Sequence, residues 1–241
     1  MYKRQDSNIT LANVPSIAST VRANPSAGFS IVKYALTGSS SETIAHGLGN
    51  KLGMLITKAT GTSNGWAIWH SSLPDTHGMA FDVSSSGASA KTWWDQSKMT
   101  SSVFNHVAGT TSSSGGDIIA YCFSPVESYS AMGSFEGNGN ADGPFIYTGF
   151  RPSFIMIRNI DNYTSLYSWY MFDTTRDPDN VVSATIKANE VASESSNDWI
   201  DILSNGFKIK TNSGAVNLNL HTNVYIAFAS NPFASNGGLA R

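Results

Sequence analysis

The sequence predicts an all-β protein of two tandem antiparallel β-sandwich domains, jelly-roll-like and related by internal duplication. Three observations lead there. Apolar residues rarely persist at the 3.6-residue spacing of a helix, and Gly, Ser, Asn and Thr break the 241-residue chain into short segments. Those segments are rich in β-branched and aromatic residues, which suit a pleated, half-buried surface. One series of motifs also occurs twice in the same order.

In chain order, residues 1–27 carry Asn, Ser and Pro with few large apolar groups. They bury little surface by themselves and are expected to form an extended N-terminal anchoring arm, ordered by a neighbouring chain. MYKRQDSNIT has basic residues but no apolar stretch behind them, so no secretory signal is expected. The first sandwich is placed at 28–126, with strands at 29–34, 54–58, 66–69 and 118–123. The second is placed at 127–233, with strands at 154–158, 169–172, 207–210 and 224–229, and 234–241 reads as a C-terminal tail. In FSIVKY and FKIK, alternation sets an apolar face against one carrying Ser, Val and Tyr, or Lys, as in a half-buried strand. IIAYCF and VYIAFA lack polar interruption and are expected between two layers. The stretch 187–195 has Ala, Glu and Lys but no apolar stripe; it is assigned a helical turn or two, or irregular structure.

The repeat organises these elements. HGLGNKLGMLITK (46–58), WAIWH (66–70), SSVF (101–104) and IAYCFSP (119–125) are followed by TGFRPSFIMIRN (148–159), WYMFD (169–173), SNGF (204–207) and IAFASNP (226–232). The last three pairs are offset by 103, 103 and 107 residues, a register that accounts for the chain length by duplication. Two abutting sandwiches are favoured over one shared core.

Composition excludes several classes of function. Charged residues make up 13% of the chain, against roughly 25% in an average domain, which rules out a solvated tail or a coiled coil. Fifteen basic against 17 acidic residues leave no footprint for phosphate neutralisation, so no nucleic-acid partner is expected. The longest apolar runs are six residues, against roughly 18 for a membrane span, so no membrane insertion is expected. Cys122, the only cysteine, sits inside IIAYCF; it forms no intrachain disulfide and reads as a buried hydrophobe.

The strings VRANPSAGFSIVKY, HGLG ahead of a hydrophobic strand, WAIWHSSL, TSSVF, IAYCFSPV, YSAMGSFEGNGNADGPFIYTGFRPSFIMIR, IDILSNGFKI and YIAFASNPF occur in that order. Together they resemble a duplicated β-domain of unknown function found in tail-fibre-like and other virion proteins of tailed bacteriophages, marine and cyanobacterial phages especially. The resemblance runs from Val21 to Phe233. Family members often carry long N-terminal regions, including concanavalin-like modules, ahead of the domain pair. What the resemblance implies is a virion component with no enzymatic activity known for the family, no cofactor and no catalytic residue to carry over.

Six Trp and nine Tyr in a chain of low charge offer sugar-stacking surfaces. In SAKTWWDQSKM, adjacent strand residues point to opposite faces, so one of Trp93 and Trp94 is expected to look outward toward a ligand, unless both are buried at a domain or subunit interface. Trp66 and Trp69 align with Trp169 and Phe172, which suits core packing. Tyr163 and Tyr167 in DNYTSLYSWY are expected to flank an exposed hairpin loop of adaptable composition. In GNGNADG, Asn138, Asn140 and Asp142 alternate like the first half of a calcium loop but lack the distal Glu. The same residues serve a tight turn, which is the preferred reading.

His46, His70, His77, His106 and His221 lack zinc spacing, and His46 in HGLG is expected to hydrogen-bond in a turn. No GxSxG elbow, phosphate loop or HExxH is present. The nearest carboxylate cluster, Asp173, Asp177 and Asp179 around Arg176, reads as a solvated loop with local ion pairs rather than a glycosidase pair. The expectation is a non-enzymatic bacteriophage virion protein, a tail-fibre or other external appendage component. It would contact a host-surface glycan or protein, with several copies raising avidity. It is expected to be a homo-oligomer, trimeric where it belongs to a fibre, anchored to other virion proteins through the N-terminal arm. The alternative is a capsid decoration or tail-assembly protein whose surfaces meet only other virion chains.

Overall fold

Strand β9 (Asp117–Phe123) organises the first half of the chain, because its alternating pattern turns Ile118, Ala120 and Cys122 inward and leaves Ile119, Tyr121 and Phe123 half-buried. The computed structural model describes residues 14–39, 41–61, 63, 65–75, 77–81, 89–90, 93–107, 116–161 and 168–230. These residues are nearly all β, in antiparallel sheets, and they fall into two compact units divided between Ser124 and Pro125. Tyr163, Tyr167, residues 1–13 and the 234–241 tail lie outside the described residues.

In the first unit, β9 lies between β2 (Phe29–Ala35) and β4 (Met54–Ala59). Beyond them β1 (Ser19–Asn24) forms one edge, and β5 (Ala67–His70), β6 (His77–Ala80) and β7 (Ser89–Ala90) extend to the other. The inward set of β2 is Ser30, Val32 and Tyr34, while Ile31 and Lys33 face outward, the reverse of the apolar face expected from FSIVKY. Register explains the reversal. Ser30, Val32 and Tyr34 stand opposite Cys122, Ala120 and Ile118, so β2 follows the buried face of its longer neighbour, and Ile31 is left opposite half-buried Tyr121. A second layer comes from β3 (Glu42–Ala45) paired with β8 (Val103–His106), whose Ile44 and Phe104 join the same core. Each of these two fully buried side chains contributes about 2–3 kcal/mol by burial.

The expected N-terminal arm is corrected over residues 14–27. β1 pairs with β2 along its whole length, Ser16 N donates to Thr43 O across 2.8 Å, and Ile17 and Val21 pack on the core. Backbone pairing with its own chain supplies the order that composition did not.

The second unit is one eight-stranded sheet that curls until it is nearly closed. Its order is β10 (Ser130–Glu136), β17 (Thr222–Ala229), β12 (Pro152–Asn159), β13 (Tyr170–Asp173), β14 (Val182–Lys187), β15 (Ser195–Leu203), β16 (Gly206–Ile209) and β11 (Phe145–Tyr147). Phe135 on the first of these strands meets Phe207 on the last but one, ring centres 6.2 Å apart, across the enclosed core. VYIAFA lies in β17, where Val224, Tyr225, Ile226 and Ala227 are all buried, as expected for a strand covered on both faces. The order β10-β17-β12-β13-β14 runs parallel to β2-β9-β4-β5-β6, and the pairing of β11 with β16 parallels that of β3 with β8.

The stretch 187–195 is not helical: β14 ends at Lys187, β15 begins at Ser195, and the turn between them holds the Lys187–Glu190 ion pair at 2.9 Å. Among the described residues the α-helix is the four-residue α1 (Gly214–Asn217), started by the Ser213 side chain accepting from Ala215 N.

Candidate functional site

Trp93 and Trp94 occupy a turn, not a strand, so alternation does not apply to them. Val107 N donates to Trp93 O (2.8 Å), and Asp95 N donates to Asn105 Oδ1 (2.8 Å), which docks the turn on β8. Trp94 is 1% exposed in the first core, and Trp93 packs edge-on against it with ring centres 5.5 Å apart. Gly78 makes room for both: a Cβ there would lie 2.7 Å from the Trp94 ring. Trp94 is therefore a core residue, while Trp93 is half-buried against it, so of the two rings only Trp93 keeps appreciable exposed surface. Trp69 is buried as expected, whereas Trp66 is half-buried and stacked on Tyr121.

The GNGNADG loop spends its side-chain oxygens on its own backbone. Asn140 N donates to Asn138 Oδ1 (3.0 Å), Asp142 N donates to Asn140 Oδ1 (2.9 Å), and the Asp142 carboxylate meets Lys208 Nζ at 2.7 Å. The loop is held from beneath by buried Asn217, which accepts from Asn138 N and donates to Asn140 O. Asn217 was not singled out from sequence, since a lone Asn in NSGAVNLN carries no signal of what it will touch. Asp173 pairs with Arg176 Nε at 2.6 Å; burial alone would raise its carboxyl, and the Arg176 contacts outweigh that and lower it. Asp177 accepts from Ser183 N and Ala184 N, which hold it below the usual carboxylate range. These carboxylates are local caps and ion-pair members. His46 does bond in its turn: Leu48 N donates to its Nδ1 at 3.3 Å, and burial lowers its pKa.

Among the described residues, the most exposed pair of aromatic residues lies elsewhere. On β11, Ile146 points into the core while Phe145 and Tyr147, 46% and 68% exposed, share the outer face. Phe145 stands opposite Lys208 and Tyr147 opposite Gly206; those in turn face Asp201 and Leu203 on β15. The outer surface is therefore two short rows, Phe145–Lys208–Asp201 and Tyr147–Gly206–Leu203. A Cβ at Gly206 would lie 3.0 Å from Phe145 Cζ and 2.1 Å from Ile146 O, so only glycine lets the ring lean over the strand.

Both ends of β11 are clamped to β16. Ile209 N donates to Pro144 O (3.0 Å) and Gly143 N to Ile209 O (3.1 Å) at one end, and Thr148 N donates to Asn205 O (3.0 Å) at the other. The flanking cations are neutralised, Lys208 by Asp142 and Lys210 by Asp201 at 3.6 Å. The hydrogen bond and charge of Lys208 lower the Asp142 carboxyl. Two exposed aromatic rings thus share one face of a strand clamped at both ends, with the flanking lysines paired to carboxylates. Sequence reading passed over it because three alternating residues, FIY, do not say which side meets water. A shallow groove of about 640 Å³ beside β1 and β2 is lined by Arg22, Lys33 and Asp117, but Lys33 and Asp117 close on each other at 2.6 Å.

Among the described residues no group of His, Cys, Asp and Glu is placed to hold a metal ion, and no helix is long and apolar enough to cross a membrane. A family model described as a domain of unknown function, DUF7483, matches residues 3–232. No curated protein matches the chain, and no solved structure does.

Proposed function

We propose that the chain, which belongs to the DUF7483 family, is a non-enzymatic binding component of a bacteriophage virion, a tail-fibre or other external appendage protein that contributes to host-surface attachment; the bacteriophage part of this reading rests on the resemblance of its repeated strings to virion proteins. The observation that carries this reading is the Phe145–Tyr147 platform. An edge strand ordinarily avoids exposing large apolar groups, because they invite unwanted pairing, yet here two aromatic rings are held outward on a strand clamped at both ends. The clamps fix the backbone that carries the rings, which spares part of the ordering entropy on binding, and display in several copies, as in a trimeric fibre, converts weak single contacts into firm attachment. The caps and ion pairs that occupy Asp173 and Asp177 support a non-enzymatic reading.

The finer architecture is part of the proposal: two β-sandwich, jelly-roll-like domains that arose by duplication. The matched strand orders of the two units support the duplication. So does the correspondence of Ile44 opposite Phe104 with Ile146 opposite Phe207.

The test compares labelled protein on intact host cells and on phage particles lacking it. Saturable cell binding that is lost in Tyr147→Ala is expected. Binding only to the deficient particles overturns the attachment role and makes the protein a decoration or assembly component.

A further inference from the structure

We infer that the platform takes an uncharged carbohydrate, stacked across the rings of Phe145 and Tyr147; this rests on the reading of the platform as a binding surface. The first argument is size. β11 has three residues, which at a rise of about 3.4 Å span about 10 Å, and the face extends over three strands spaced about 4.8 Å apart. A face on the order of 100 Å² is far below the roughly 800 Å² per partner of a stable protein interface. It matches one or two sugar rings.

The second argument is charge. Lys208 and Lys210 are each paired with a carboxylate of the same face, so the platform offers no net charge to a phosphate, a sulfate or an acidic sugar. A nucleic-acid strand, which also stacks on aromatic rings, needs a cationic track for its backbone, and here both lysines are neutralised.

The third argument is complementarity. The π face of an aromatic ring is electronegative, and the axial C–H groups of a pyranose present a weakly positive apolar face to it. The two residues sit at positions i and i+2 of one strand face, about 6.7 Å apart along the backbone, so both rings are offered to a chain laid along that face. Lys208, paired with Asp142, stands directly opposite Phe145 and supplies polar atoms next to the ring for the hydroxyls of such a chain.

The experiment titrates the full chain against neutral oligosaccharides of glucose, galactose, mannose and N-acetylglucosamine. Sialylated and sulfated counterparts run beside them, with binding read by saturation-transfer NMR and affinity electrophoresis. Saturable binding to at least one neutral member is expected, unchanged between low and high salt. It is expected to weaken about tenfold or more in Tyr147→Ala and to persist in Tyr147→Phe, which keeps the ring. Failure of every neutral member to bind at millimolar concentration, binding confined to charged members, or binding indifferent to Tyr147→Ala each overturns the inference. Tyr147-dependent cell binding without any neutral glycan ligand overturns the carbohydrate and leaves the attachment role. Glycan binding without cell binding does the opposite.

Discussion

Tyr34 Oη and His106 Nδ1 lie 2.6 Å apart inside the core of the first unit, a buried hydrogen bond that ties β2 of the large sheet to β8 of the small one. Burial pushes the two groups in the directions that keep both neutral: Tyr34 is raised well above its usual value, with Cys122 and Glu42 adding to the effect, and His106 is lowered to about 4. The bond is thus made between uncharged partners across the two layers.

Stability should therefore fall with acid. The folded pKa of His106 lies below the unfolded value of 6.5. The unfolded chain consequently binds a proton that the folded chain refuses, and stability is full above about 6.5 and declines toward about 4 by on the order of 3 kcal/mol. Burial lowers His46 as well, adding to the same trend. Urea unfolding between pH 7.5 and pH 4.5 checks this, and a flat profile would contradict it. Tyr34→Phe is expected to cost about 1–3 kcal/mol at pH 7.5 by removing the bond.

Trp94 is a packing residue, so Trp94→Ala should cost about 3–5 kcal/mol, read as a lower unfolding midpoint. Gly78→Ala should cost about 1–3 kcal/mol by pressing a methyl into the paired rings. A Trp94→Ala variant with unchanged stability would show that the ring is not in the core.

Asn217 holds the GNGNADG loop through bonds to Asn138 and Asn140. Asn217→Ala is expected to cost about 1–3 kcal/mol and to speed exchange of the Asn138 amide hydrogen. Because the loop oxygens already accept backbone hydrogens, added calcium should leave the Tm unchanged; a calcium-dependent rise would reinstate the metal reading.

Gly206 is the floor of the platform. Gly206→Ala sets a methyl against Ile146 O, so β11 must lift from β16. Faster hydrogen exchange is expected at the Thr148 and Ile209 amides, together with loss of cell binding. Tyr147→Ala, at an exposed position, should change stability by less than about 0.5 kcal/mol. Equal destabilisation by the two variants would refute this division of roles.

The eight strands expected from short apolar runs are all present, within a residue or two at their ends. The other nine strands among the described residues, β1, β3, β6, β7, β8, β10, β11, β14 and β15, were passed over because their patterns are short or interrupted by polar residues, and partners in the sheet, not local preference, make them strands. The site candidates were chosen for striking composition, paired Trp or alternating Asn and Asp. Composition of that kind is equally what a packed turn or an Asx turn requires.

The all-β class and the buried stretch of VYIAFA, Val224 to Ala227, follow from residue type and period along the chain, whereas IIAYCF, read in the same way, buries Ile118, Ala120 and Cys122 but leaves Ile119 and Tyr121 half-buried. Which face of a strand meets water depends on its neighbours. β2 turned Ser30 and Val32 inward because β9 did, and β11 turned Phe145 and Tyr147 outward because Ile146 had Phe207 to pack against. A period of two names both faces and ranks neither. The tertiary structure, by placing one face of each strand against the core, turned Phe145 and Tyr147 outward and took Trp94 inward.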